Sequence, residues 1–361
     1  MLTAHPQAEE RPTVLIVDDE AAPRAALTHV LRQDFTILEA EDIRTALAVI
    51  NEHGVDLVTL DLRLPDGSGS DLLNEIKQSH AAIEVIMVTG YGTLKSAMDC
   101  IRQGAAGFLL KPFNASELLS ISLQTAQKKR RLDMLRTTFT QEPALRGSDP
   151  ACTEAWKSLV ARYGTLLKQG TLAASHSEEP SPLIQLVSDV MEAKDRHLVN
   201  HGNRVSFYTT LAAGRLELSL HEQHMLSLGA LAHDLDLVAS TDAQVLLQES
   251  DKSRHRTDVG ARIGRAIGLP ADAVQIIALH HERWDGAGYP FGLAGERIPL
   301  LARLVAIAQA FDDMTAERPG STAKSMKDAL DEIEQQAGKA FDPVLTELFC
   351  RTMHEQPAQQ Q

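Results

Sequence analysis

Five polar residues of this 361-residue sequence close short apolar runs: Asp18 and Asp19 after VLIV, Asp61 after DLVTL, Thr89 after VIMV and Lys111 after GFLL. Carboxylates gathered at one edge repel each other unless a cation lies among them, and an oxygen-only set suits Mg²⁺. A carboxylate can also accept a phosphoryl group covalently. A Thr hydroxyl and a Lys ammonium nearby would hold the transferred oxygens. The chemistry expected of this half is phosphoryl transfer onto Asp61, with Asp18, Asp19 and Asp61 as the Mg²⁺ set. Five such residues, distributed over the strand ends, weigh against ordinary solvated termini.

The second half holds a different set. In GALAHDLDLV (229–238) a His and an Asp stand side by side in an apolar segment, where each is costly to bury unless paired or bound to an ion. His280 and His281 form a second doublet, and His197 and His201 are spaced to share a helix face. A single His is more often a core or surface residue than a ligand; doublets and i,i+4 pairs shift that balance. Imidazole and carboxylate together suit iron, manganese, zinc or similar ions, and two such ions could clamp a phosphodiester for hydrolysis.

Two kinds of element must position these groups. From Thr13 to about 128, short apolar runs alternate with helical periodicity, which predicts a doubly wound α/β domain with a five-stranded parallel sheet. Functional residues in such a domain gather beyond the carboxyl ends of the strands. Residues 1–12 read as a flexible tail. Asn114 and Glu117 suggest a capping box opening a long helix, in which Leu118, Ile121, Leu132, Leu135 and Phe139 sketch a dimer seam that Thr125 and Lys128 interrupt. Residues 129–182, with four prolines from Pro143 to Pro182 and one helix-like piece, read as a helical linker. Residues 183–352 read as an all-α domain and 353–361 as a tail.

Composition narrows the functions. A net charge of −14 argues against nonspecific binding to nucleic acid or anionic membranes. The run Lys128–Arg131 is expected to be a solvated helix face. Three scattered cysteines give neither a disulfide framework nor a zinc spacing. No stretch is apolar enough for a membrane span, and the polar start does not look like a signal peptide. A cytoplasmic protein is expected.

The first half resembles the receiver domain of two-component response regulators over residues 13–128, through VDDE (17–20), LDLRLPDGSG (60–69), VTG (88–90) and GFLLKPF (107–113). The resemblance implies Asp61 as phospho-acceptor, Asp18 and Asp19 in the Mg²⁺ site, Thr89 and Lys111 as switch residues and Phe108 as the switch aromatic, with a sensor histidine kinase as partner. The second half resembles HD-GYP domains, metal-dependent phosphodiesterases of the HD superfamily that hydrolyse cyclic di-GMP. The matches are EAKDRHLVNHGNRV (192–205), LAHD (231–234), GARIG (260–264), HHERWDGAGYP (280–290), IPLLARLVAIA (298–308), AFDDMTAERP (310–319) and FDP (341–343). This resemblance implies His201, His233, Asp234, His280 and His281 as metal ligands, with His197 an extra ligand in some members. It also implies Tyr289, Arg318 and Arg204 as nucleotide contacts, and the GYP loop as a surface for GGDEF-type or other signalling proteins.

Several positions depart from the family pattern. Asp236 and Leu237 replace a Gly and a phosphate-binding Lys, Arg256 stands where a ligand His is usual with His255 one residue off, and Gln309 replaces a carboxylate. ERPGS (317–321) lacks the usual aromatic and second basic residue. Asp236 and Asp312 are candidate replacements among the ligands. Two readings follow. In the first, the output domain is degenerate and serves as a sensor or interaction module; in the alternative it is an active cyclic di-GMP phosphodiesterase. A DNA-binding activator is disfavoured, since neither a GxxxxGK[ST] loop nor a basic recognition helix is present.

Overall fold

The computed structural model describes residues 11–90, 94–146, 150–170, 181–239, 250–316 and 322–355. They fall into two compact units, the first comprising Met1–Arg131 with Leu167–Ser177 and the second Leu132–Leu166 with Glu178–Gln361.

The first unit runs β1 (Thr13–Val17), α1 (Ala21–Leu31), β2 (Thr36–Ala40), α2 (Ile43–Glu52) and β3 (Leu57–Leu60). A small hairpin, β4 (Arg63–Leu64) and β5 (Gly67–Ser68), leads to α3 (Gly69–Ser79), β6 (Glu84–Thr89), α4 (Leu94–Arg102), β7 (Gly107–Leu110) and α5 (Ala115–Gln141). Five strands pair in parallel in the order β2-β1-β3-β6-β7, the doubly wound sheet expected. The two-residue period of the strands divides their side chains between two cores. Leu15, Val17, Val58, Leu60, Val85 and Met87 meet α2 and α3 on one face, and Val14, Ile16, Leu57, Ile86 and Val88 meet α1 and α5 on the other.

The chain leaves β1 in one direction to reach β2, and β3 lies on the opposite side of β1. The connections after β1 and β3 therefore diverge and leave a crevice at the strand ends. Asp18 and Asp61 stand at those two ends. Helix α3 begins hard against Asp61: a Cβ on Gly69 would lie 1.9 Å from the Asp61 carbonyl oxygen, so this position accepts no side chain.

The second unit is helical. It contains α6 (Pro150–Gly170), α7 (Pro182–Lys194), α8 (Arg196–Ala213), α9 (Leu220–Ala232), the one-turn α10 (Asp236–Ala239), α11 (Ser250–Ala266), α12 (Ala271–Leu279), α13 (Leu300–Thr315), α14 (Met326–Gln335) and α15 (Pro343–His354). Val205 of α8, Leu226 and Ala230 of α9, Ile276 of α12, Val305, Ala308 and Phe311 of α13 and Phe349 of α15 share one core. Helix α9 starts with a capping box between Ser219 and Glu222. Among the described residues no helix is long and apolar enough to cross a membrane.

The stretch that sequence punctuation marks as linker contributes buried side chains of its own. Trp156 and Tyr163 of α6 are each 1% exposed. The Trp156 indole donates to the Leu145 carbonyl (3.2 Å), and the Tyr163 hydroxyl donates to buried Asp189 of α7 (2.7 Å). Pro150, which reads as a breaker, is instead the first residue of α6, where a proline's missing N–H costs nothing. Leu132 and Leu135, residues of the sketched dimer seam, are buried within the chain itself.

Helices α8 and α9 cross closely because position 202 is glycine. A Cβ there would sit 2.5 Å from the Leu231 carbonyl oxygen, a backbone atom that cannot rotate away. Gly202→Ala is expected to destabilise the helical unit by about 1–3 kcal/mol, read from urea unfolding followed by circular dichroism. Unchanged stability would mean that the crossing is looser than described.

Candidate functional site

At the sheet edge, the Lys111 ammonium donates to Asp18 Oδ2 (2.5 Å) and to Asp61 Oδ2 (2.6 Å). Asp18 and Asp61 are buried, at 1% and 7% exposure. Their second oxygens accept backbone N–H groups, Asp18 Oδ1 from Glu20 (3.0 Å) and Asp61 Oδ1 from Arg63 (3.3 Å). Burial alone would lower the Lys111 pKa, but the hydrogen bonds it donates to two carboxylates outweigh it and leave the pKa raised. Thr89 is buried, and its carbonyl accepts the Lys111 N–H (2.8 Å). Asp19 is exposed, and half-buried Phe108 packs on the α2–α3 core. Two carboxylates already sharing one cation, with only oxygen donors, fit a divalent ion of the Mg²⁺ type.

In the helical unit, Gly202 brings α8 onto the carboxyl end of α9, and His201 lands beside His233. The His201 Nδ1 is 2.6 Å from Asp312 Oδ2, and the His233 Nδ1 is 2.7 Å from the Ala230 carbonyl oxygen. Both partners are acceptors, so each Nδ1 carries the proton and each Nε2 presents a lone pair. These two Nε2 atoms lie 3.1 Å apart, with Asp234 Oδ2 3.6 Å from the first and 3.5 Å from the second. Ligands bound at about 2.1 Å to one ion sit roughly 3.0–3.4 Å apart. Two facing lone pairs at this spacing repel unless a proton or a cation lies between them. His201, His233 and Asp234 therefore fit a divalent metal, and they are the group whose ligand atoms converge among the described residues.

Protonation tendencies divide the pair: His233 is held in its neutral form, whereas His201 is drawn toward its protonated form. Burial raises the Asp234 pKa, but the imidazoles of His233, His201, His280 and His281 outweigh it and hold the carboxyl well below its ordinary range. Burial, then the neighbouring His201, leaves the His233 pKa depressed despite Asp234. His280 is pushed well down, first by burial and then by His281 and His233. Burial opposes protonation of His201, but its hydrogen bond to Asp312 and the charge of Asp234 outweigh it, and its pKa is raised.

His280 and His281 extend the cluster. Ring centroids run 5.0 Å from His201 to His233, 5.2 Å on to His280, 4.0 Å on to His281 and 4.8 Å on to Tyr289. The His280 Nδ1 donates to the Ile277 carbonyl oxygen (2.9 Å), and its buried Nε2 has no hydrogen-bond partner. That orphaned lone pair matches the ligand-ready state of His201 and His233.

Other candidates are placed differently. Asp312 is no replacement ligand: Oδ2 takes the His201 Nδ1–H and Arg204 Nη2 (2.8 Å), and Oδ1 takes Arg204 Nε (2.6 Å). It orients His201, and Arg204 is spent largely on Asp312 rather than left open for a nucleotide. His197 is exposed on the first turn of α8 and is not in the converging group. Asp236 is buried at the start of α10, its backbone N 3.2 Å from where a Gly260 Cβ would be, and it stands outside the converging group. Gln309 is half-buried one turn before Asp312. Arg318 lies outside the described residues, as do the side chains of His255 and Arg256 and the ERPGS segment.

Comparison with known proteins agrees on both halves. Residues 14–122 match the family model described as response regulator receiver domain, and residues 185–345 match that of the HD domain. The chemotaxis protein CheY of Bacillus subtilis is 38% identical over 108 residues, which span 90% of it and 29% of this chain. The chain belongs to the response regulators, a receiver domain joined to an HD domain. Two relatives share the whole arrangement. A protein of Thermotoga maritima named cyclic di-GMP phosphodiesterase is 28% identical over 94% of this chain and 90% of its own length. The cyclic di-GMP phosphodiesterase response regulator RpfG of Xanthomonas campestris pv. campestris is 29% identical over 94% of this chain and 87% of its own length.

Within this response regulator, sequence reasoning missed one buried polar residue of the site region, Glu282. The available signal was a third ionisable side chain directly after the His280-His281 doublet. The role of Asp312 yields a direct test. Removing the partner of a ligating imidazole typically costs about 10–100-fold in metal affinity, so Asp312→Ala should weaken Mn²⁺ binding by that factor in a calorimetric titration. An unchanged affinity would remove Asp312 from the site.

Proposed function

We propose that this response regulator is phosphorylated on Asp61 by a sensor histidine kinase and passes that state to an HD output that recognises cyclic di-GMP and hydrolyses it weakly or not at all. The observation that carries the reading is the reduced ligand set. Among the described residues three ligand atoms converge, on His201, His233 and Asp234, and the nearby helix turn offers Gln309 in place of a carboxylate. A neutral amide oxygen is a weaker ligand for a hard cation than a carboxylate. Leu237, half-buried after the His-Asp doublet, cannot supply charge to a phosphate.

A bound divalent ion would polarise a phosphodiester oxygen and lower the pKa of a water molecule. The chain's own residues prepare for it. Asp312 fixes the His201 tautomer, Ala230 fixes that of His233, and Ile277 fixes that of His280. Tyr289, stacked near His281, offers a flat wall to a planar base. At the other site, Lys111 and the backbone donors at Glu20 and Arg63 hold the carboxylates that a phosphoryl group would join, and the added charge would shift the balance of this surface.

A second reading, an active phosphodiesterase under phosphorylation control, is favoured by the orphaned Nε2 of His280 and by the activity for which the Thermotoga maritima and Xanthomonas relatives are named. Purified protein loaded with Mn²⁺ or Fe²⁺ and assayed on cyclic di-GMP separates the two. The first reading expects about one bound metal and negligible turnover; two metals with robust turnover that His233→Ala abolishes would sink it. For the receiver, acetyl phosphate should label the wild-type chain and leave Asp61→Asn unlabelled. Equal labelling of both would show the phospho-acceptor to be elsewhere.

A further inference from the structure

Directly after the two histidines the chain carries Glu282, 4% exposed, and its carboxylate turns toward the following loop. Oε1 accepts the backbone N–H of Phe291 (2.7 Å), and Oε2 accepts that of Leu293 (2.9 Å). Between these donors Gly292 adopts φ +66°, a conformation that aims neighbouring N–H groups into one concavity suited to an anion. That concavity is filled from within the chain.

The same loop is pinned elsewhere by its backbone. Trp284 N–H donates to the Ala340 carbonyl (3.0 Å) and Asp285 N–H to the Lys339 carbonyl (2.8 Å). The Arg303 guanidinium lies 5.6 Å from the Trp284 ring centroid and pairs with buried Asp342. The loop folds back so tightly that a Cβ on Gly288 would lie 2.3 Å from Arg283 N and 2.6 Å from Glu282 Cα. Tyr289 N–H then reaches the His281 carbonyl (3.3 Å), which sets the two rings together.

We infer that Glu282 is the positioning residue of this loop: its carboxylate clamps Phe291 and Leu293 so that Tyr289 is held beside His281, and it takes no part as metal ligand or proton carrier. One short peptide thus presents two imidazoles to the metal cluster and one carboxylate to the recognition loop, coupling the geometry of both.

Collisional quenching of tryptophan fluorescence by acrylamide in the full chain reads the loop, because Trp156 is buried and Trp284 is half-buried. Glu282→Ala removes both acceptors and should raise the quenching constant at least about twofold. Glu282→Gln keeps the shape and one acceptor and should fall between, which preserves the test if the alanine variant does not fold. Mn²⁺ affinity should stay within about twofold in Glu282→Gln, since the three converging ligands are untouched. Quenching unchanged in Glu282→Gln and Glu282→Ala would overturn the inference, as would a Mn²⁺ affinity reduced about tenfold with quenching unchanged. A further arm rests on the cyclic di-GMP reading: Glu282→Gln should weaken that ligand about tenfold. A wild-type chain that binds no cyclic di-GMP would defeat that reading while leaving the quenching result to decide the role of Glu282.

Discussion

Two imidazole nitrogens, Nε2 of His201 and Nε2 of His233, face each other at 3.1 Å. In the neutral rings each presents a lone pair, because the other nitrogen of its ring is bound to an acceptor. This arrangement is electrostatically unfavourable by itself, and the surrounding helices maintain it. Gly202 lets α8 approach α9, the Phe311-centred core fixes α13, and Arg204 holds Asp312 in a two-pronged grip under His201. The fold holds the ligands in place before any ion arrives, so binding need not organise them.

The receiver half solves a related problem in the opposite sense. There the carboxylates of Asp18 and Asp61 are the groups that would repel, and Lys111 bridges them. Both sites are clusters of like groups confined by packing, placed where the backbone offers compensating donors or acceptors. A doubly wound sheet gives such a place at its reversal of strand order, and a helical unit must build one from crossing helices. The receiver accordingly uses residues one step past strand ends, whereas the HD unit gathers His201, His233, His280 and Asp312 from four separate helices or their ends.

That difference explains what the sequence revealed. Short apolar runs such as VLIV and VIMV mark buried strands directly, and the ends of such runs locate Asp18, Asp61, Thr89 and Lys111 without knowledge of helix packing. In the helical half, residue types and doublets pointed to His201, His233, Asp234, His280 and His281. The function of Asp312 depends on the distance between α8 and α13, which no local pattern encodes. His197 illustrates the converse: its i,i+4 spacing from His201 is real, but helix α8 begins only one residue before it, where the chain is still emerging into solvent. Asp236 read as a ligand by adjacency, yet a residue two positions beyond Asp234 on a new turn points its backbone toward Gly260 instead. Pro150 misled for a local reason, since a proline that opens a helix and one that breaks a chain look alike in the string.

The burial of Trp156 and Tyr163 also sets where this chain can be cut. The HD family model covers residues 185–345, yet α6 inserts an indole and a phenol into the unit well upstream of that start, and Asp189 loses its phenolic partner if α6 is absent. Downstream, Phe349 and Met353 are buried beyond the end of the match. A fragment trimmed to the recognisable family segment would carry a raw apolar wound at each end. The packed helical unit is thus longer than its sequence signature, with buried residues on both sides of the family match.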